Sequence, residues 1–275
     1  MTYGIDTNTN TTTFIPALLA TPLPGTIAPE GATVSFVGRY LGRAKKAEID
    51  ALGAAGFQIV SILEHDSNHA DYFTSARGLA DGAEAARLAA AVGQPTGTPV
   101  YFAVDYDDAN WYKGNFANVV DYLTGVNSAM ATAGNPYAIG VYSPGGILEV
   151  AQARSLATFF WQAFGSGMYR NKTPFAGANL RQISSTSMFP GTTGFGVDYD
   201  VADNDAPGSW APATAPSSNT RDGGTGDAGT DDGGADDGGT RDASADTSGD
   251  AALGSATASA DPGDGSPDGS DSGSA

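Results

Sequence analysis

Short apolar runs recur along roughly the first 200 positions, and stretches with helical spacing separate them. The runs predict strands at Tyr3–Asp6, Val34–Tyr40, Phe57–Glu64, Pro99–Asp105, Tyr137–Ser143, Thr158–Phe164, Asn179–Ser184 and Gly194–Tyr199. The strongest helical pattern extends from about Lys113 to Ala133, where Phe116, Val119, Val120, Leu123, Val126 and Met130 share one face. Ala44–Ala55 and Leu79–Val92 predict two more helices, with Gly56 and Gly93 as stop residues, and Gly146–Leu156 predicts a fourth. Strands alternating with helices at this density predict a parallel sheet closed into a TIM-type (β/α) barrel. After Phe164 the strands lack helical segments between them, so part of the outer helical ring is expected to be missing.

Composition divides the chain near Trp210. From Pro212 to Ala275 there is no aromatic residue and one large aliphatic, Leu253, while 13 Asp face 2 Arg. Such a segment cannot bury enough apolar surface to offset its ordering entropy, which predicts a barrel domain over 1–211 and a disordered acidic tail over 212–275. The Asp/Gly clusters of the tail lack the regular apolar residues of a stacked repeat, so the tail reads as a solvated spacer.

The net charge of −18 argues against nucleic acid as a partner. No apolar run is long enough to cross a membrane as a helix, and the absence of cysteine excludes thiol chemistry and disulfides. The first residues, Met1 to Asp6, show no signal-peptide pattern. The Thr/Asn-rich stretch after the first strand is not a nucleotide cradle, and no cofactor is expected.

The chemical signal is the position of the acids. Asp6, Glu64 and Asp105 end predicted strands, and Asp198 lies late in the last one. Parallel barrels gather their functional groups at the carboxyl ends of strands, so four acids are expected at one mouth. In Tyr101–Asp107, alternation turns Ala103, Asp105 and Asp107 inward and Phe102, Val104 and Tyr106 toward the helices. The same register sets Gly4 below Asp6 and Gly196 below Asp198. Asp105 and Asp107 would lie about 6–7 Å apart, between the spacings of retaining and inverting glycosidases. Crowded carboxylates supply both a protonated acid and an ionised partner, as glycoside hydrolysis requires. Tyr40, Tyr101, Tyr142, Trp161, Gln162 and Gln182 are the candidate substrate contacts, since aromatic faces stack on sugar rings.

Gly4-Ile-Asp6, Phe36-Val-Gly-Arg-Tyr-Leu41, Ile62-Leu-Glu64, Pro99–Asp107, Gly140-Val-Tyr142, Trp161-Gln-Ala163 and Val197-Asp198 occur in this order. In combination they resemble the bacterial glycoside-hydrolase-like domain of unknown function and, more distantly, the family twenty-five lysozymes. The resemblance implies a barrel lacking some helices, a cell-wall polysaccharide (peptidoglycan) as ligand, an extracellular or cell-envelope location and a monomer. In the lysozymes the fourth strand carries Asp-x-Glu with Glu as general acid, and the matching positions here are Asp105 and Asp107. The resemblance thus makes Asp107 the general acid and Asp105 its ionised partner, with Asp6, Glu64 and Asp198 in support. Asp107 is one methylene shorter than Glu, which draws its carboxyl back by about 1 Å in chemistry that depends on close positioning.

That departure keeps two non-lysozyme readings open. One is a catalytically inactive glycan-binding or envelope-associated module on the same scaffold. The other is a metal-dependent polysaccharide deacetylase using His65 and His69, whose His-x-x-x-His spacing follows Glu64.

Overall fold

A computed structural model describes residues 1–105, 116–165, 174–202 and 207–213, all within the compact unit Met1–Thr220. Eight strands close into a barrel in chain order: β1 (Thr2–Thr7), β2 (Phe36–Tyr40), β3 (Gln58–Leu63), β4 (Pro99–Ala103), β5 (Ala138–Ser143), β6 (Phe159–Gln162), β7 (Leu180–Met188) and β8 (Gly196–Ala202). Each predicted strand is present at its place, within a few residues at either end. β1 to β7 pair in parallel.

β8 departs from the all-parallel expectation. It runs antiparallel to both β7 and β1. Only residues 189–195 connect it to β7, and there the Phe189 N–H donates to the Phe195 carbonyl at 2.9 Å. A parallel crossover needs a dozen or more residues, so this short link permits only a hairpin.

Five helices, α1 (Ile15–Ala20), α2 (Lys46–Ala54), α3 (Ser75–Val92), α4 (Ala117–Thr132) and α5 (Gly145–Ala153), follow β1 to β5 in turn. Among the described residues no helix lies between β6 and β8, so the outer ring is incomplete where the helical spacing fades. The short α1 was not predicted. Gly56 and Gly93, the predicted stops, take φ of 88° and 80°, a left-handed conformation that glycine adopts without a Cβ penalty. At the other end of α3, the Thr74 hydroxyl accepts from the Arg77 N–H at 3.2 Å and caps the helix.

Alternation along the strands builds two apolar layers. Phe36, Val60, Ile62, Tyr101, Trp161 and Leu180 fill the barrel interior. Ile5, Val37, Ile59, Val100, Phe102, Val104 and Val141 face outward and pack with Leu123, Val126 and Met130 of α4. A Cβ on Gly4 would lie 2.2 Å from the Phe36 ring, so glycine there gives Phe36 its place across the floor. Outside the sheet, Gly78 of α3 meets Tyr122 of α4 so closely that a Cβ would lie 1.9 Å from the Tyr122 carbonyl oxygen. At the amino-terminal end of the barrel, Trp210 pairs with Ile59 and donates from Nε1 to Ser61 Oγ at 3.0 Å.

A buried ion pair ties the first turn of the fold to β2 and α2. Arg39 Nη2 donates to Glu48 Oε2 at 3.2 Å, and Nε lies 3.0 Å from Oε1 but off the hydrogen-bond axis. Arg39 Nη1 donates to the Thr7 carbonyl, while Glu48 Oε1 accepts from the Thr11 N–H and hydroxyl at 2.8 Å each. Removing one member leaves a buried charge without its partner, whereas replacing both avoids that penalty. Arg39→Met is therefore expected to cost about 3–5 kcal/mol in urea unfolding, and adding Glu48→Leu to recover most of the loss.

Candidate functional site

Parallel strands point their carboxyl ends at one rim, and there a cavity of about 190 Å³ opens. Asp6 from β1, Glu64 after β3, Asp105 after β4 and Asp198 from β8 all line it, together with Tyr40, Ala103, Tyr142, Trp161 and Gln182. A neighbouring hollow of about 180 Å³ shares Asp6, Tyr40 and Asp198 and extends over Thr7, Asn8 and Thr9. Asp107 lies outside the described residues. Two of the predicted substrate contacts sit elsewhere. Tyr101 is fully buried and donates from its hydroxyl to the Pro207 carbonyl at 2.8 Å. Gln162 is also buried; its Nε2 donates to the Ala163 carbonyl at 3.2 Å and its Oε1 accepts from the Phe175 N–H at 3.1 Å.

Asp198 reaches the mouth for a reason the strand-end argument did not contain. Because β8 is reversed, Asp198 stands near its start, opposite Asp6 in the β1–β8 ladder. Gly196 is consequently at the rim rather than beneath Asp198, and a Cβ there would meet nothing within 4 Å. The residue beneath Asp198 is Asp200, paired with Gly4 and completely buried. Asp200 was not among the predicted site residues. The signal was present, since Asp198-Tyr-Asp200 repeats the two-residue spacing seen in Asp105-Tyr-Asp107, but the predicted strand ended one residue too soon.

Crowding gives these acids unusual proton affinities. Burial, reinforced by the Asp198 charge, raises Asp6 to about 7, although the Tyr40 hydroxyl donates to Asp6 Oδ1 at 3.1 Å and opposes the shift. Burial, then the charges of Asp6 and Asp198, raises Asp200 well above the usual carboxylate range. Asp200 Oδ1 accepts from Trp161 Nε1 at 3.0 Å, and a hydrogen bond between the Asp200 and Asp6 carboxyls raises Asp200 further while it opposes the rise of Asp6. Two carboxyls can share a hydrogen bond only if one of them carries the proton, so a neutral Asp200 fits these buried surroundings. Burial, followed by the Asp6 charge, raises Tyr40 as well, which keeps its proton on and its hydroxyl a donor.

Gln182 organises the opposite wall. Its Nε2 donates to Asp198 Oδ2 at 2.8 Å, while its Oε1 accepts from the Tyr142 hydroxyl at 2.9 Å and the Phe164 N–H at 3.1 Å. Two donors on the amide oxygen fix which end faces Asp198. Trp161 stands edge-on to Tyr142 and Tyr101, at 5.3 and 5.5 Å between ring centroids. It is only 1% exposed, so it forms the floor of the cavity rather than an open stacking face. Ser67 Oγ donates to Glu64 Oε1 at 2.6 Å. The two histidines turn to separate acids, His65 to Glu84 at 2.9 Å and His69 to Asp66 at 2.6 Å, so the predicted His-x-x-x-His pair does not converge.

The family model described as "Rv2525c-like, glycoside hydrolase-like domain" matches residues 29–202. Two Bacillus subtilis (strain 168) proteins are similar in sequence. The uncharacterized protein FadG is 28% identical over 190 residues, covering 62% of this chain and 31% of FadG. The uncharacterized protein YbfG is 26% identical over 161 residues, covering 56% of this chain and 22% of YbfG. The chain thus spans less than a third of either relative. The crystal structure of the Mycobacterium tuberculosis Tat-secreted protein Rv2525c in complex with L-tartrate aligns with a TM-score of 0.59 and 22% identity, over 76% of this chain and 99% of that one, a likeness of fold.

The proton affinities set a pH dependence of stability. Asp6 and Asp200 are raised in the folded state, so the native protein holds protons that the unfolded chain has released above about pH 4. The stability Asp6 contributes is intact below that pH and is lost as the pH rises through about 7, and Asp200 acts with the same sign. Asp200→Asn keeps an acceptor for Trp161 and removes one of these protons. Its urea midpoint is expected to exceed that of the parent at pH 7.5, with the gain shrinking toward zero near pH 4.

Proposed function

This chain belongs to the Rv2525c-like, glycoside hydrolase-like domain family, and we propose that its acid-lined cleft hydrolyses a glycosidic bond of cell-wall peptidoglycan. The single observation that carries the proposal is the convergence of Asp6, Glu64, Asp105 and Asp198 on one cavity beside Tyr40, Tyr142 and Gln182. Glycoside hydrolysis needs a carboxylic acid for the departing oxygen and a carboxylate for the oxocarbenium charge or a water. Asp6, with its pKa near 7, is close to half protonated at neutral pH, and Asp198 lies across the ladder from it. Peptidoglycan is proposed from the lysozyme resemblance of the strand motifs.

In this reading Asp107 donates the proton to the leaving oxygen, and Asp105 on the cavity wall stabilises the positive charge or orients the water. Asp6 serves as the neighbouring proton reservoir, and Asp198, held by Gln182, and Glu64 orient substrate or water. Tyr40 and Tyr142 border the ring-sized space. The site would work outside the cytoplasm, where peptidoglycan lies; the structural relative Rv2525c is described as Tat-secreted. The acidic tail after residue 211 would act as a solvated spacer for the domain.

The test is release of reducing ends from purified peptidoglycan. The parent protein is expected to release them, and Asp105→Asn, Asp107→Asn and Asp198→Asn each to lower the rate by roughly 100-fold or more. Unchanged release in all three variants would refute the assignment of the site. No release by the parent, with pull-down by the same glycan intact, would make the domain a glycan-binding module instead.

A further inference from the structure

Outside the barrel, beside α3, the structure gathers a second set of chemically capable side chains. His65 immediately follows Glu64, so the loop leaving β3 brings its ring out over α3. Asp81 and Glu84 are three residues apart on α3, which sets them on one helix face. One ligand atom from each of His65, Asp81 and Glu84 lies within 4.8 Å of the other two, and His65 Nε2 is 2.9 Å from Glu84 Oε2.

Surface His–Glu contacts are common and contribute little, so the decisive member is Asp81. It is buried, with relative exposure of 5%, and no cation lies within ion-pair distance of it among the described residues. Two phenols hold it instead. The Tyr72 and Tyr122 hydroxyls both donate to Asp81 Oδ2 at 2.8 Å. Arg77 stands over the Tyr72 ring at 5.4 Å and fixes that phenol from its other face. Donors of this kind are what orient a metal-binding carboxylate from outside its coordination sphere.

We infer that His65, Asp81 and Glu84 bind a divalent transition-metal ion, for which zinc(II) is the probe. One imidazole nitrogen and two carboxylate oxygens make a donor set suited to zinc, with a water completing four-coordination. The His65 and Glu84 side chains are 39% and 35% exposed, which leaves that fourth position open to solvent. A divalent ion would neutralise the two acids at a place where the nearest arginine contact to Glu84 is a loose 3.8 Å. His69 takes no part, since its Nδ1 is committed to Asp66 on the outer side of the loop.

The experiment is calorimetric titration of the full-length protein with zinc(II) at pH 7.5, paired with the absorption spectrum of the cobalt(II)-substituted form. One site is expected above the weak background of the Asp-rich tail, with a tetrahedral cobalt spectrum. His65→Ala and Glu84→Gln, both at partly exposed positions and checked for unchanged circular dichroism, are each expected to weaken that site at least tenfold and to abolish the spectrum. His69→Ala is expected to retain both. Zinc affinity that is unchanged in His65→Ala and Glu84→Gln, or no binding above the tail background in the parent protein, overturns the inference.

Discussion

The reversed eighth strand is the constraint from which the site follows. A barrel closes only if its last strand hydrogen-bonds to its first, and here the short link from β7 allows closure by a hairpin alone. Reversal inverts the vertical order of everything on β8. Gly196 comes to the rim, Asp198 faces Asp6, and Asp200 descends to Gly4 and the Trp161 indole. Run in parallel, the same residues would send Asp200 toward solvent and Asp198 toward the floor. The buried acid, its hydrogen bond to Asp6 and the raised proton affinity of both depend on the direction of one strand.

Much of this was legible beforehand, and the reasons differ by element. The strands were readable because each is an apolar run bounded by polar or glycine residues, and the two faces of β4 followed from alternation alone. Asp6, Glu64 and Asp105 were placed at the mouth by a rule about parallel strands, which they obey. Asp198 arrived at the mouth although that rule does not apply to it, because the direction of β8 is a tertiary outcome of loop length and closure. Asp200 was lost through a strand end set at Tyr199. Tyr101 and Gln162 were misjudged for another reason: a polar tip near a strand end reads alike whether it faces a cavity or, as with Pro207 and Phe175 here, a backbone group behind it. The His65–His69 spacing misled because the partners of His65 come from α3, more than a dozen residues on.

Among the described residues, Arg39 is the one buried arginine, and it stands on the outward face of β2 next to the inward Tyr40. Its charge is committed to Glu48 and the Thr7 carbonyl, one layer away from the cavity. Among the described residues, neutral donors reach the acids: Tyr40 on Asp6, Ser67 on Glu64, Gln182 on Asp198 and Trp161 on Asp200. Neutral donors orient a carboxyl without holding it ionised as strongly as a guanidinium would. A guanidinium on Asp6 or Asp200 would hold it ionised and, by the same interaction, oppose the rise in proton affinity that burial gives these two acids.

Such a cluster weakens the native state as the pH rises, and the rest of the barrel has to offset it. The offset comes from the half of the molecule that carries helices. Gly78, Gly82 and Gly125 let α3 and α4 meet backbone to backbone, and α4 lays Leu123, Val126 and Met130 into the outer apolar layer. Close packing of this kind does not titrate. The acids Asp6, Asp198 and Asp200 belong instead to the β1–β8 seam, where β7 and β8 lack helices among the described residues. That seam is held by strand pairing together with its own apolar cover, in which Phe14 stacks on Phe195 at 4.2 Å and Leu18, Phe189 and Tyr199 are buried. Asp6 and Asp200, whose proton affinities are raised, stand on that seam, whereas Glu64 and Asp105 reach the same cavity from the ends of β3 and β4 on the helix-bearing side.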